Sequence, residues 1–79
     1  MNQRQLFEKY WTKFQSMRTL SLAKVGSIGR TLFIENDQYY LQEGDTREPI
    51  DRDAARAQIH ALVTLELARR ARSRRKRVR

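Results

Sequence analysis

Eight cations crowd into the last eleven residues, Arg69-Arg70-Ala71-Arg72-Ser73-Arg74-Arg75-Lys76-Arg77-Val78-Arg79, with no acid among them. A guanidinium presents paired donors that match the oxygens of a phosphate and a flat face that stacks on bases. Contact with a polyanion releases condensed counterions, so binding by such a segment weakens steeply with salt, by a log-log slope of roughly −0.9 per phosphate neutralised on duplex DNA. At physiological ionic strength the cations repel one another, which keeps the segment out of any core and leaves it disordered or as an extension of a preceding helix. Nucleic-acid phosphate is the leading partner; an acidic protein surface or a solubilising or localising role are the alternatives.

Two further sets of residues carry possible chemistry. Phe33 and Tyr40 fall on the polar side of a hairpin read below, where an aromatic pair can stack single-stranded bases or anchor a protein contact. The segment Val25-Gly26-Ser27-Ile28-Gly29-Arg30-Thr31-Leu32 resembles the Gly-x-x-Gly loop of KH domains, which clamps a nucleic-acid backbone. It departs from that family in two respects: Ser27 and Ile28 carry no charge, and the residues after Gly29 read as a hairpin where the family has a helix.

No catalytic set assembles. The chain has no cysteine, so a disulfide framework, a thiolate metal site and a catalytic thiol are all excluded. His60 is the single histidine, lacks a second ligand at metal spacing and reads as solvent-facing. The acids between Glu35 and Asp53 do not follow a calcium-loop pattern. With 79 residues there is room for one small domain that buries only about 60% of its unfolded surface, which disfavours a deep enzyme pocket. The expectation is a non-enzyme without metal or cofactor. No apolar run approaches the roughly 18 residues of a membrane span, and the first residues lack a signal-peptide core. The protein is therefore expected to be soluble and cytoplasmic.

The overall charge of +8 is unevenly placed. Residues 1–34 hold Arg4, Lys9, Lys13, Arg18, Lys24 and Arg30 against Glu8; residues 35–53 hold Glu35, Asp37, Glu43, Asp45, Glu48, Asp51 and Asp53 against Arg47 and Arg52; Arg56 and Glu66 cancel thereafter. The body, residues 1–68, is formally neutral, and the terminal segment 69–79 carries the whole excess. The acidic stretch offers that segment an internal docking partner. Arginine outnumbers lysine 13 to 4, a bias of the kind a GC-rich coding sequence produces, and a small accessory protein of a bacterium, phage or plasmid fits this composition.

The elements that must position these residues are legible from periodicity. At 100° per residue, Leu6, Phe7, Tyr10, Trp11, Phe14 and Met17 gather within an arc of about 140°, the signature of an amphipathic helix with an aromatic face. Thr19 to Val25, Arg30 to Glu35 and Gln38 to Glu43 read as short strands. Asn36-Asp37 fits a two-residue hairpin turn that pairs residue 35 with 38 and, at the far end, Arg30 with Glu43. Leu32, Ile34, Tyr39 and Leu41 then face the helices, and Thr31, Phe33, Glu35, Gln38, Tyr40 and Gln42 face away. Gly44 to Pro49 reads as a loop. Asp51 reads as the N-cap of a second helix, with Ile50 as its hydrophobic staple and Ala54, Ala55, Ile59, Leu62, Val63 and Leu65 as its apolar stripe. Leu67 falls off that stripe.

The expected fold is a small α+β domain: helix, a two- or three-stranded antiparallel sheet, then helix, with residues 20–25 deciding the strand count. The order with three strands is similar to that of double-stranded RNA-binding domains, although Ile50-Asp51-Arg52-Asp53 would repel phosphate where those domains are strongly basic. The residues expected to touch nucleic acid, with DNA favoured over RNA, are Arg69, Arg70, Arg72, Arg74, Arg75, Lys76, Arg77 and Arg79, aided by Lys24 and Arg30. Leu67 and the Phe33/Tyr40 face remain free for a homodimer contact. The alternative function is a protein-binding inhibitor or adaptor of phage or plasmid type that uses the aromatic first helix or the exposed sheet face.

Overall fold

A computed structural model describes residues 2–77 of the chain and the side chains of residues 2–72. The first helix, α1 (Gln3–Met17), starts at a capping box: the Gln5 N–H donates to Asn2 Oδ1 at 2.8 Å and the Asn2 N–H donates to Gln5 Oε1 at 3.1 Å. Two of the helix's orphan donors are thereby satisfied. It stops at Arg18, which turns left-handed at φ 61° while its N–H donates to the Phe14 carbonyl.

The sheet has four antiparallel strands in sequence order: β1 (Thr19–Ser21), β2 (Arg30–Glu35), β3 (Gln38–Glu43) and β4 (Thr46–Ile50). The register between β2 and β3 is the one that the Asn36-Asp37 turn dictates, from Glu35 opposite Gln38 to Arg30 opposite Glu43. Both turn residues adopt positive φ, 50° and 63°, as a two-residue turn matched to strand twist requires. The fourth strand corrects the sequence reading, in which Gly44 to Pro49 was a loop. Gly44, at φ 58°, and Asp45 alone make the turn, and the next five residues return along β3. That strand was hidden by its polarity: as an edge strand it leaves Thr46, Arg47, Glu48 and Pro49 exposed, and only Ile50 packs on the core.

At the other edge, the strand expected over Thr19 to Val25 ends at Ser21. Leu22 adds one further hydrogen bond to Arg30, and Val25 pairs with Ile28 across a tight Gly26-Ser27 turn. The segment resembling a Gly-x-x-Gly clamp is thus a small hairpin tip, followed by a strand rather than a helix.

The second helix, α2 (Arg52–Arg77), starts where expected: the Ala54 N–H donates to Asp51 Oδ1 at 2.7 Å. It runs unbroken for 26 residues, about 39 Å at 1.5 Å per residue. The basic segment is therefore helical as far as Arg77, the second of the two forms expected for it; Val78 and Arg79 lie outside the described residues. Because Asp51 and Asp53 sit at the opposite end of this rod, they do not reach the basic segment of their own chain while the helix is intact.

Both helices cover one face of the sheet. Leu6, Phe7 and Phe14 from α1, Ala55, Ile59 and Val63 from α2, and Leu20, Leu22, Leu32 and Leu41 from the sheet form the buried core. Tyr10, Trp11 and Leu62 pack partly buried against it. Three members of the sequence pattern behave differently. Leu65, expected on the apolar stripe of α2, is 37% exposed. Met17, the last residue of α1, is 62% exposed because the chain turns away at Arg18. Leu67, expected off the stripe, packs half-buried against the core.

Candidate nucleic-acid interface

The basic segment is the projecting end of a helix whose earlier turns are fixed in the core. Ile59 and Val63 are fully buried, and six residues after Val63 the first arginine of the cluster appears on the same rod. Glu66 lies between: its two carboxylate oxygens are 3.7 Å from Arg69 Nη1 and 3.5 Å from Arg70 Nε. These contacts neutralise one charge, but Arg69 remains 69% exposed and Arg72 is exposed as well. Arg74, Arg75, Lys76 and Arg77 continue the helical backbone. Their side chains, and Arg79 as a whole, lie outside the described residues.

The two cations chosen from the body have different surroundings. Lys24 is exposed and lines a groove with Ala61, Leu62 and Leu65 of α2, one turn before the first arginines of the cluster, so it stands beside the basic segment. Arg30 does not. Its side chain is only 17% exposed, and Nη2 donates to Gln58 Oε1 at 2.6 Å. Its Nε lies 3.3 Å from Glu43 Oε2 but out of line for a hydrogen bond, so Glu43 balances its charge without satisfying that N–H. Arg30 joins the sheet to α2 and offers little to an external phosphate.

Phe33 and Tyr40 are cross-strand neighbours on the face turned away from the helices. A third residue joins them from the strand missed in the sequence: the Arg47 guanidinium lies 4.6 Å from the Phe33 ring centre and 5.6 Å from that of Tyr40. Arg47 Nη1 donates to Glu35 Oε1 at 2.8 Å and Nε to Gln42 Oε1 at 3.4 Å. The aromatic pair thus carries a cation of its own chain. This group occupies the opposite layer from α2, so one straight ligand does not touch both.

Two arginines and the single histidine, not grouped as a site from the sequence, lie along the seam between the helices. Arg52, Arg56 and His60 follow one another at i, i+4 spacing on α2 and meet the aromatic side of α1. The Arg56 guanidinium sits 5.1 Å from the Phe7 ring centre and 5.4 Å from Trp11; that of Arg52 sits 5.6 Å from Trp11. His60 is exposed as expected, but one ring face stacks on Phe7, with centroids 4.0 Å apart and planes 14° from parallel. These contacts show that the helices run antiparallel, since Trp11 meets the start of α2 and Phe7 its middle. The aromatic face of α1 is therefore consumed internally. The i, i+4 spacing of Arg52, Arg56 and His60 was the available sequence signal; neighbouring acids obscured it.

Beside this seam a groove of about 440 Å³ opens between the start of α1 and the middle of α2, lined by Gln3, Arg4, Phe7, Glu8, Arg56 and His60. Among the described residues, no three His, Cys, Asp or Glu side chains gather to hold a metal ion. No helix among them is long and apolar enough to cross a membrane.

Comparison with known proteins adds nothing to this geometry: no protein family, curated protein or solved structure matches the chain.

Proposed function

We propose that this protein is a small nucleic-acid-binding accessory or regulatory protein that grips phosphates through the Arg-rich end of α2. The observation that carries the reading is the continuity of that helix, from buried Ile59 and Val63 into the basic segment up to Arg77. A cation cluster on a rod anchored in a folded body reaches a polyanion with less ordering cost than a free tail. An α-helix, about 10–12 Å across, matches the roughly 12 Å major groove of B-form DNA, whereas the A-form groove of duplex RNA is deep and narrow. DNA is accordingly favoured. The contacts are of the positioning kind and carry no base code of their own.

The test is a salt titration of the full chain on duplex DNA, single-stranded DNA and duplex RNA, beside a variant with all eight cations of residues 69–79 changed to Gln. Five to eight engaged cations give a log-log slope of roughly −4.5 to −7 on duplex DNA, and the variant should lose most of it. Salt-independent binding, or equal binding by the variant, overturns the proposal.

A second reading, a protein-binding adaptor, is favoured by one observation: no element of the described chain covers the sheet face bearing Phe33, Tyr40 and Arg47. The Gln variant would leave such binding largely intact, whereas Phe33→Ala with Tyr40→Ala would remove it.

A further inference from the structure

We propose that the seam between α1 and α2, with Arg4, Arg52, Arg56 and His60, is a second phosphate-contacting surface for the same nucleic acid. This inference rests on the nucleic-acid reading above and extends the interface from the end of α2 to its first half.

Arg30, Arg47, Arg69 and Arg70 each have a carboxylate within 4 Å. Among the described residues, Arg4, Arg52 and Arg56 have none, although acids stand close by in sequence. Asp53 precedes Arg56 by three residues, a spacing that commonly makes a helical ion pair. Arg56 turns instead to the rings of Phe7 and Trp11. A guanidinium lying over an aromatic face keeps its in-plane N–H donors directed outward. Two such groups, partly ordered by stacking, have less side-chain freedom to lose when an anion arrives.

The spacing suits a chain of phosphates. Four residues of α-helix rise about 6 Å and advance the direction by about 40°, so Arg52, Arg56 and His60 form a gently winding row along one side of α2. Eighteen residues complete five turns, which returns Arg70 to the direction of Arg52. The seam row therefore points along the same side of the rod as Arg70, the second cation of the basic segment. Across the groove, Arg4 of α1 stands with Arg56 and His60 of α2 around a space of about 440 Å³, where donors from two helices can meet on one phosphate.

The acids nearby sharpen the proposal. The Asp51 carboxylate is engaged by the Ala54 N–H. Glu8 is the one carboxylate that lines the groove, and Asp53 is exposed beside Arg52. Both oppose an incoming phosphate. Removing them should strengthen binding, an effect that damage to the fold does not produce.

Trp11 is the only tryptophan of the chain and lies under both seam guanidiniums, so its emission reports the site. The experiment titrates the full chain with a 20-base-pair DNA duplex at several salt concentrations, following Trp11 fluorescence and affinity, for the parent, R4Q/R56Q and E8Q/D53N. Inorganic phosphate serves as a separate titrant. The expected results are a Trp11 change on duplex binding and, for R4Q/R56Q, about tenfold weaker binding at 50 mM salt with a slope shallower by about 1.8, at 0.9 per lost contact. E8Q/D53N should bind several-fold tighter. Steep parental binding with an unresponsive Trp11 and unchanged slopes in both variants overturns the seam surface and leaves the basic segment as the sole contact. Absence of salt-dependent parental binding overturns both readings. An equal Trp11 response to millimolar inorganic phosphate assigns the groove to free anions and overturns its place in a nucleic-acid interface.

Discussion

Arg30 on β2 and Gln58 on α2 are joined by a 2.6 Å hydrogen bond across the two layers of the fold, from Nη2 to Oε1. A mostly buried guanidinium that keeps one partner in each layer acts as a brace, and its removal leaves Glu43 without its counterion. Arg30→Ala should cost about 2–3 kcal/mol, in the range for hydrogen bonds to charged groups. Urea denaturation measures it. Nucleic-acid affinity measured on the folded fraction should change less than twofold, in contrast to Lys24→Ala beside the basic segment.

The sheet's turns depend on left-handed residues. A Cβ added at Gly44 would meet nothing nearer than Ile28 Cγ2 at 3.7 Å, so space is not the constraint there; the φ of 58° is. Gly44→Ala should therefore cost about 1–2 kcal/mol from backbone strain alone. Asp37 already bears such strain at φ 63°. Asp37→Gly creates the preferred Asn-Gly turn and should stabilise the hairpin by about 0.5–1 kcal/mol. Thermal melts of the two variants should move in opposite directions.

Within α1, two residues of the same apolar stripe should respond very differently. Phe14 is fully buried between the helices and sheet, with its ring centre 6.0 Å from that of Tyr39. Phe14→Ala should cost about 3–5 kcal/mol, a large share of what so small a domain possesses. Met17→Ala, at an exposed helix end, should stay within about 0.5 kcal/mol. Chemical denaturation of both variants provides the comparison.

The start of α2 hangs on one carboxylate. Asp51→Ala removes the acceptor of the Ala54 N–H and should cost about 1 kcal/mol, while Asp51→Asn should recover most of it. Because the basic segment continues the same helix, helicity measured by circular dichroism should fall with the first variant and return with the second.

The legible parts of this fold were those in which a side chain's period or a turn's chemistry spoke unambiguously. The stripe from Leu6 to Phe14 identified α1, the Asn36-Asp37 turn gave the register of β2 and β3 residue by residue, and Asp51 marked the start of α2. The fourth strand was not legible, because an edge strand with one half-buried residue, Ile50, has no apolar alternation to display. Leu67 was misplaced for a related reason: the wheel ranks directions around one helix, whereas its burial depends on where α1 lies. The seam of Arg52, Arg56 and His60 was obscured by charge counting. Asp51 and Asp53 cancel the arginines on paper, and only the path of α1 shows that the guanidiniums turn to Phe7 and Trp11 instead.

The sheet's margins carry a consequence of their own. At one side stands a strand of three residues, Thr19–Ser21, and at the other a strand interrupted by Pro49, which has no N–H to give. Neither border is a good template for a neighbouring chain. Under the proposed polyanion binding, copies of the protein would be crowded against one another, and crowding is the condition in which open strand edges seed fibres. Here both selvedges are finished, so molecules packed side by side are expected to stay separate and dissolve again when the polymer is removed.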